Sequence, residues 1–162
     1  DIIDIDRVLI TYPIAIKKAI DIISGCYVNI TKRLFEQIEN NIEIKGVEQD
    51  NNLATYSVWR DKEDYTINWN KSSEEIVRFI NAVGYPYNGA KTYIEDKEYI
   101  IENSEVYPDI MVENRCPGKV IFKIKNNPIV ICGKGLLKIN SLIDVELSKS
   151  ALPLKNFRTR FK

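Results

Sequence analysis

The feature that most constrains this chain is a change of apolar periodicity near Gly89. Before it, apolar residues recur at steps of three and four, which is the period of an amphipathic helix. After it, short apolar runs alternate with turn-forming residues, which is typical of β-strands. In a chain of 162 residues with 44% apolar residues, this division predicts an α+β fold with helices before a small sheet.

The first helical pattern occupies residues 13–40. Its apolar positions fall on one side of a helix, and they are Ile16, Ile20, Ile23, Tyr27, Ile30, Leu34 and Ile38. Thr11 and Pro13 supply an N-cap and a first turn, and the apolar run Arg7–Ile10 before them predicts a strand. A stripe of this kind normally packs on a sheet or another helix, so we predict a strand and a long helix of an α/β unit.

A second helix is predicted after Ser72. Ser72 and Glu75 have the spacing of a capping box, and Gly84 is placed to occupy the C′ position after the helix. The polar residues 48–52 precede this region and predict a linker. The run Ala54–Arg60 after them predicts a short irregular strand.

The carboxy-terminal half predicts a small barrel. About five short β-like runs, each bounded by turn residues, fit a barrel of the oligonucleotide/oligosaccharide-binding (OB) type. Gly133, Lys134 and Gly135 lack the spacing of a phosphate-binding loop and predict a hairpin turn. The runs are Lys91–Ile94, Glu98–Ile101, Lys119–Ile124, Ile129–Cys132 and Leu136–Ile139.

The composition excludes several kinds of site. The chain has no histidine, which removes the commonest general base and most zinc sites, and we predict no metal site. Its three cysteines lack C-x-x-C spacing, which predicts a reducing compartment. Without a membrane-length apolar run or a signal-peptide pattern, we expect a cytoplasmic protein with no membrane partner. Because it begins at Asp1 and its only methionine is Met111, we expect a piece of a longer protein.

Five segments resemble, in order, the carboxy-terminal part of the folate-dependent formyltransferases, which include methionyl-tRNA and sugar N-formyltransferases. They are Ile67–Ile76, Arg78–Ala90, Pro117–Ile121, Cys132–Ile139 and Phe157–Phe161. Upstream, Gln49–Asp50 and Ala54–Tyr56 are similar to the family's linker. The resemblance implies three parts: residues 1–47 end a Rossmann-like domain, 48–69 form the linker, and 70–162 form the carboxy-terminal domain with a helix and an OB-like barrel.

The resemblance also implies a cofactor, 10-formyltetrahydrofolate, whose site lies mostly outside this chain. In the family, an Asn, a His and an Asp assist formyl transfer to an amine. Asp1-Ile2-Ile3 looks like the end of the D-x-G-D element that carries the Asp, which places the catalytic Asp three residues before Asp1. We therefore assign no catalytic residue here and expect the chain by itself to be inactive.

Two acceptors remain open within the resemblance. Residues 85–162 carry 13 Lys/Arg against 9 Asp/Glu, a modest excess for a tRNA-binding barrel. Together with the Tyr85-Pro86-Tyr87 run, this favours a nucleotide-linked amino sugar, with methionyl-tRNA as the alternative. A non-catalytic module that binds a glycan, a nucleic acid or a partner subunit is a third possibility. The apolar stripe of residues 13–40 would allow a homodimer.

The candidate substrate-binding residues follow from the family linker and from one aromatic turn. Gln49, Thr55, Tyr56 and Arg60 lie where the family's linker closes over the active site, and Arg60 would pair with a diphosphate. Tyr85 and Tyr87 would stack on a base or sugar. Packing is the alternative in each case, with Tyr56 and Trp59 sealing an interdomain core. The acid-free run Lys149, Lys155, Arg158, Arg160 and Lys162 is either a solvated face or an anion-binding one.

Overall fold

A computed structural model describes residues 2–162. Asp1, with its predicted place at the end of a D-x-G-D element, lies outside the described residues. The chain divides into two compact units, Asp1–Trp59 and Arg60–Lys162, which we call the first and second units. The domain bounds 1–47, 48–69 and 70–162 stay a prediction.

The first unit is built around one helix. This helix, α1, spans Ile16–Glu39 and starts later than predicted, because Ala15 is its N-cap and no side chain caps it. Thr11 therefore does not act as the predicted cap. Arg33 of α1 pairs with Asp4 (Nε to Oδ2, 2.8 Å), and no α1 side chain is buried.

Both strands predicted in the first 60 residues are wrong. Neither Arg7–Ile10 nor Ala54–Arg60 forms a strand, because no described residue pairs with either run in a ladder. Ile2 and Val47 instead pair singly through two backbone hydrogen bonds of 2.7 and 2.8 Å. A 3₁₀ turn spans Asn51–Leu53.

The second unit begins with the predicted second helix. This helix, α2, spans Ser73–Val83, and its capping box is confirmed: Ser72 Oγ accepts from the Glu75 N–H and Glu75 Oε2 accepts from the Ser72 N–H. Gly84 is the C-cap with an extended backbone (φ −64°), so its prediction as C′ is wrong by one position. The buried face of α2 includes Ile76, Ile80 and Val83.

A six-stranded antiparallel sheet follows α2. The five predicted strands are confirmed, the second and the fifth extend several residues beyond their predicted ends, and a short sixth strand was not predicted. The hydrogen-bonded order is β1-β2-β5-β4-β3, with β6 paired to β5. The bounds are β1 Ala90–Ile94, β2 Lys97–Tyr107, β3 Val120–Ile124, β4 Asn127–Ile131, β5 Leu136–Asp144 and β6 Lys149–Ser150.

The strands do not close into a barrel. β1 and β3 end the hydrogen-bonded order, and they do not pair with each other. The last residues of the chain lie between the two ends through single bridges, Ile94 with Phe161 and Lys119 with Arg160. The fold is therefore α+β with an open ladder in place of the predicted small barrel, and the OB-like character stays a prediction. The Rossmann-like remnant stays a prediction.

The main core lies between α2 and one face of the sheet. Trp69 and Phe161 are both buried there with ring centroids 5.5 Å apart, and the Trp69 indole N–H donates to Thr92 Oγ1 at 3.1 Å. A smaller cluster of Ile129, Ile131 and Leu136 lies apart from this core. Burial of this kind is the main stabilising term for a domain of this size.

Gly133 lies where the β4–β5 turn meets the chain before α2. Its N–H donates to the carbonyls of Trp69 (2.9 Å) and Lys71 (3.0 Å). A Cβ on Gly133 would lie 1.9 Å from the Asn70 carbonyl oxygen, so only glycine fits. The predicted hairpin turn is confirmed and is packed against the residues that precede α2.

Within residues 2–162, no helix has the length and apolar character needed to cross a bilayer. The same residues contain no cluster of three or more His, Cys, Asp or Glu side chains arranged to hold a metal ion.

Candidate functional site

The second unit ends in a basic segment, residues 149–162, that contains no acidic residue. All five of its basic side chains are exposed, and none forms an ion pair with a described residue. These five are Lys149, Lys155, Arg158, Arg160 and Lys162. Because their charges are not neutralised within residues 2–162, the segment can attract an anion.

Backbone pairing holds the end of the basic segment in place. The Phe161 N–H donates to the Gly118 carbonyl and the Lys162 N–H to the Tyr93 carbonyl, both at 2.8 Å. Thr159 and Phe161 are buried while Arg160 and Lys162 are exposed, which is the alternation of a strand. The core residues therefore fix Arg160 and Lys162 as a row of two outward cations, which can contact phosphates with little loss of backbone entropy.

A first pocket, the Asn68 pocket, lies beside this row. It has a volume of about 390 Å³, and its walls include Asn68, Asn70 and Pro117 together with Arg160 and Lys162. The backbone N–H of Asn70 donates to Asn68 Oδ1 at 3.0 Å, which fixes the Asn68 amide. Amides beside two cations can bind a polar, anionic group.

A second pocket, the Asp144 pocket, lies at the other end of the basic segment. It also measures about 390 Å³ and is bounded by the β1–β2 turn, the β5–β6 turn and the residues after β6. Tyr99 and Leu152 contribute to its apolar wall. Its charged residues are two acids and three lysines: Glu95, Asp144, Lys97, Lys149 and Lys155. Both pockets therefore border the basic segment.

Some other cations of the second unit form ion pairs, as Lys91 does. Lys91 Nζ lies 3.0 Å from Glu98 Oε1, and Tyr93 donates to Glu98 Oε2 at 2.9 Å. Burial raises the pKa of Glu98, but Lys91 and Tyr93 together outweigh it and hold that pKa below its ordinary value. The same bond to Glu98 raises the pKa of Tyr93. Lys91 is thus less available to a ligand than the basic segment.

Three of the six predicted substrate-binding residues belong to the first unit. Gln49, Thr55 and Tyr56 are all exposed, and 94% of Tyr56 is accessible to solvent. Trp59, predicted as a possible partner of Tyr56 in an interdomain core, is 98% exposed. They do not line the pocket that residues 4–8 form with α1, and their substrate-binding role stays a prediction.

The other three belong to the second unit. The Arg60 guanidinium lies 5.8 Å from the ring centroid of Phe79 on α2, and its Nη1 donates to the Asp64 carbonyl at 3.4 Å. Tyr85 and Tyr87 are 74% and 51% exposed in the loop after α2. None of the three lines the Asn68 or Asp144 pocket, so their role also stays a prediction.

Sequence reasoning named the basic residues of the final segment that line the two pockets but missed Asn68 and Asp144. Asn68 falls within a segment that was identified only by its family resemblance. Asp144 ends a strand that was predicted to stop at Ile139. The only available signal was that Asp144 precedes a turn and the acid-free basic run, and this pattern does not predict a pocket.

Residues 60–161 match the model of a family described as formyl transferase, C-terminal domain. The chain belongs to this family. The match covers the second unit from its first residue to Phe161, and so includes α2, the whole sheet and all residues of both pockets except Lys162. This confirms the family resemblance of the sequence.

Several curated relatives are methionyl-tRNA formyltransferases. The one from Lachnospira eligens is 31% identical over 102 residues, which are 61% of this chain and 32% of the relative. The one from Streptococcus agalactiae serotype III is 28% identical over 116 residues, 71% of this chain and 35% of the relative. The chain therefore spans about a third of the length of these relatives.

A solved structure shares the fold. HypX from Aquifex aeolicus, in a multiply substituted variant, aligns with a TM-score of 0.50 and 18% identity. The alignment covers 72% of this chain and 20% of the HypX chain.

Proposed function

We propose that this chain is the carboxy-terminal part of a methionyl-tRNA formyltransferase, in which the second unit binds tRNA through its basic segment. The observation that carries the proposal is the acid-free segment with five exposed basic residues, none of which forms an ion pair with a described residue. Phosphate neutralisation by such side chains dominates the affinity of proteins for nucleic acids.

The relatives support tRNA over the amino sugar that the sequence favoured. The modest charge excess of residues 85–162 argued against tRNA, but that count includes cations and acids that neutralise one another. Lys91 with Glu98, Arg115 with Asp109 and Lys138 with Glu105 are such pairs. Residues 149–162 contain no acid, so their five basic charges are concentrated in one segment and the net charge of residues 85–162 understates the field there.

Formyl transfer itself is assigned to the rest of the enzyme. The residues of this chain do not fit the transfer site that the family implies, because its His cannot come from a chain without histidine. The donor 10-formyltetrahydrofolate would accordingly bind mostly outside this chain. What this chain contributes is an anion-binding surface and a folded support for it.

Salt-dependent binding of the full chain to tRNA tests the proposal. The logarithm of the association constant should fall linearly with the logarithm of the salt concentration. Replacing Arg158 and Arg160 by Gln should weaken binding and lower the magnitude of the slope by about 2 if each contacts one phosphate. Fluorescence anisotropy with labelled tRNA at several salt concentrations gives both quantities.

The matched control is Lys62→Gln with Arg78→Gln, which removes the same charge from α2 and the chain before it. The control should keep most of the affinity and the slope. Equal losses in both double variants would show a nonspecific charge effect and contradict the proposed interface. Preference for a nucleotide-linked amino sugar over tRNA would contradict the acceptor.

A further inference from the structure

The Asp144 pocket contains a carboxylate that the protein does not neutralise. Asp144 is only 8% exposed, and its Oδ1 accepts from the Leu147 N–H at 3.0 Å. No Lys or Arg of residues 2–162 forms an ion pair with it. Since buried carboxylates are normally paired, this one retains acceptor capacity for a donor in the pocket.

The rim of the same pocket carries three lysines, Lys97, Lys149 and Lys155, and one exposed carboxylate, Glu95. Lys149 lies opposite Asp144 in the β5–β6 register, and Lys155 lies farther along the basic segment. Neither Lys149 nor Lys155 forms an ion pair with a described residue. Lys97 on the same rim does, with its Nζ 3.8 Å from Glu146 Oε2. The two unpaired lysines favour an anionic ligand group at the mouth of the pocket, farther out than the Asp144 carboxylate.

The pocket wall between these charges is apolar, and the pocket volume suits a small organic group. Tyr99, Leu152 and Leu154 line it, and about 390 Å³ lies within the range of pockets that hold small organic groups. A ligand that suits all three features has a hydroxyl donor, an attached anion and a flat apolar part. A ribonucleotide has these groups as its 2′-hydroxyl, its phosphate and its base.

We propose that the Asp144 pocket holds one ribonucleotide of the bound RNA, with Asp144 accepting from the ribose 2′-hydroxyl. This rests on the proposed function. Lys149 and Lys155 contact the flanking phosphates, and Tyr99 packs against the base. A chain is favoured over a free nucleotide because the cations continue from this pocket to Arg158, Arg160 and Lys162. The pocket thereby distinguishes RNA from DNA, since only RNA carries the 2′-hydroxyl.

The experiment compares one stem-loop sequence made with ribose or with 2′-deoxyribose, each titrated against the full chain. The chain should bind the RNA form about tenfold more tightly, as expected for one hydrogen bond to a charged group. Asp144→Asn keeps an oxygen for the Leu147 N–H but replaces the other by an amide donor. It should reduce the RNA-to-DNA affinity ratio towards one without weakening DNA binding.

Two further variants separate the loss of a charge from the loss of the 2′-hydroxyl contact. Asp96→Asn removes the same charge from the exposed β1–β2 turn and should leave the ratio unchanged. Lys155→Gln, at an exposed site, should weaken both forms alike. RNA and DNA bound equally by the unsubstituted chain, or an unchanged ratio in Asp144→Asn, overturns the pocket assignment alone. Binding of neither form also overturns the proposed function.

Discussion

At the scale of single residues, Gly133 joins the sheet to the chain before α2. An alanine Cβ would lie 1.9 Å from the Asn70 carbonyl oxygen, and backbone cannot move aside as a flexible side chain can. Gly133→Ala should therefore lower the free energy of unfolding by about 1–3 kcal/mol, the usual cost of overpacking. Urea denaturation measures it. Gly84→Ala is the control, because its Cβ would lie 3.5 Å from the nearest atom, and a similar loss there would contradict the steric explanation.

Cys132 gives a second prediction at this scale. Its side chain is buried, and burial raises the pKa of its thiol to about 12, so almost no thiolate is present near pH 8. Iodoacetamide at pH 8 should modify the half-buried Cys116 and leave Cys132 intact in the folded protein. Mass spectrometry of peptides measures both, with urea-unfolded protein as the control in which both react. Equal labelling rates in the folded protein would contradict the buried position.

At the scale of elements, the sequence predicted best where local chemistry decides the structure. Ser72 and Glu75 specified the start of α2, and turn residues separated the five strands. Thr11 and Arg7–Ile10 failed because a cap and a strand need partners that short patterns do not reveal. The Asp144 pocket could not be predicted, since it depends on how β5, β6 and the final segment fold together.

The capping box of α2 gives a prediction with a pH dependence. The backbone N–H of Ser72 and then its hydroxyl hold the pKa of Glu75 below its ordinary value. A lowered folded-state pKa stabilises the fold above the unfolded pKa, and this contribution is lost as pH falls through the folded value. Glu75→Gln should therefore destabilise the protein at pH 7 and less so near pH 3. Thermal unfolding of both proteins at the two pH values tests this, and an equal difference at both would contradict it.

At the scale of the whole molecule, the two units differ in how much apolar surface they bury. The second unit has a continuous core that includes Trp69 and Phe161, whereas α1 of the first unit has no buried residue. Since burial of apolar area is the main driving force for folding, the second unit should fold without the first. The family match to residues 60–161 agrees with an independent unit of this extent.

A chain of residues 60–162 should therefore unfold cooperatively, with a midpoint close to that of the main transition of the full chain. Its stability should depend on the last residues, because Phe161 is 1% exposed and its N–H bonds Gly118 at 2.8 Å. Phe161→Ala should cost about 3–5 kcal/mol in both lengths of chain. Calorimetry and urea denaturation measure these quantities. A noncooperative transition for residues 60–162 would mean that the first unit is required for folding. A large loss of stability from Phe161→Ala in the full chain alone would place the role of Phe161 outside the core of the second unit.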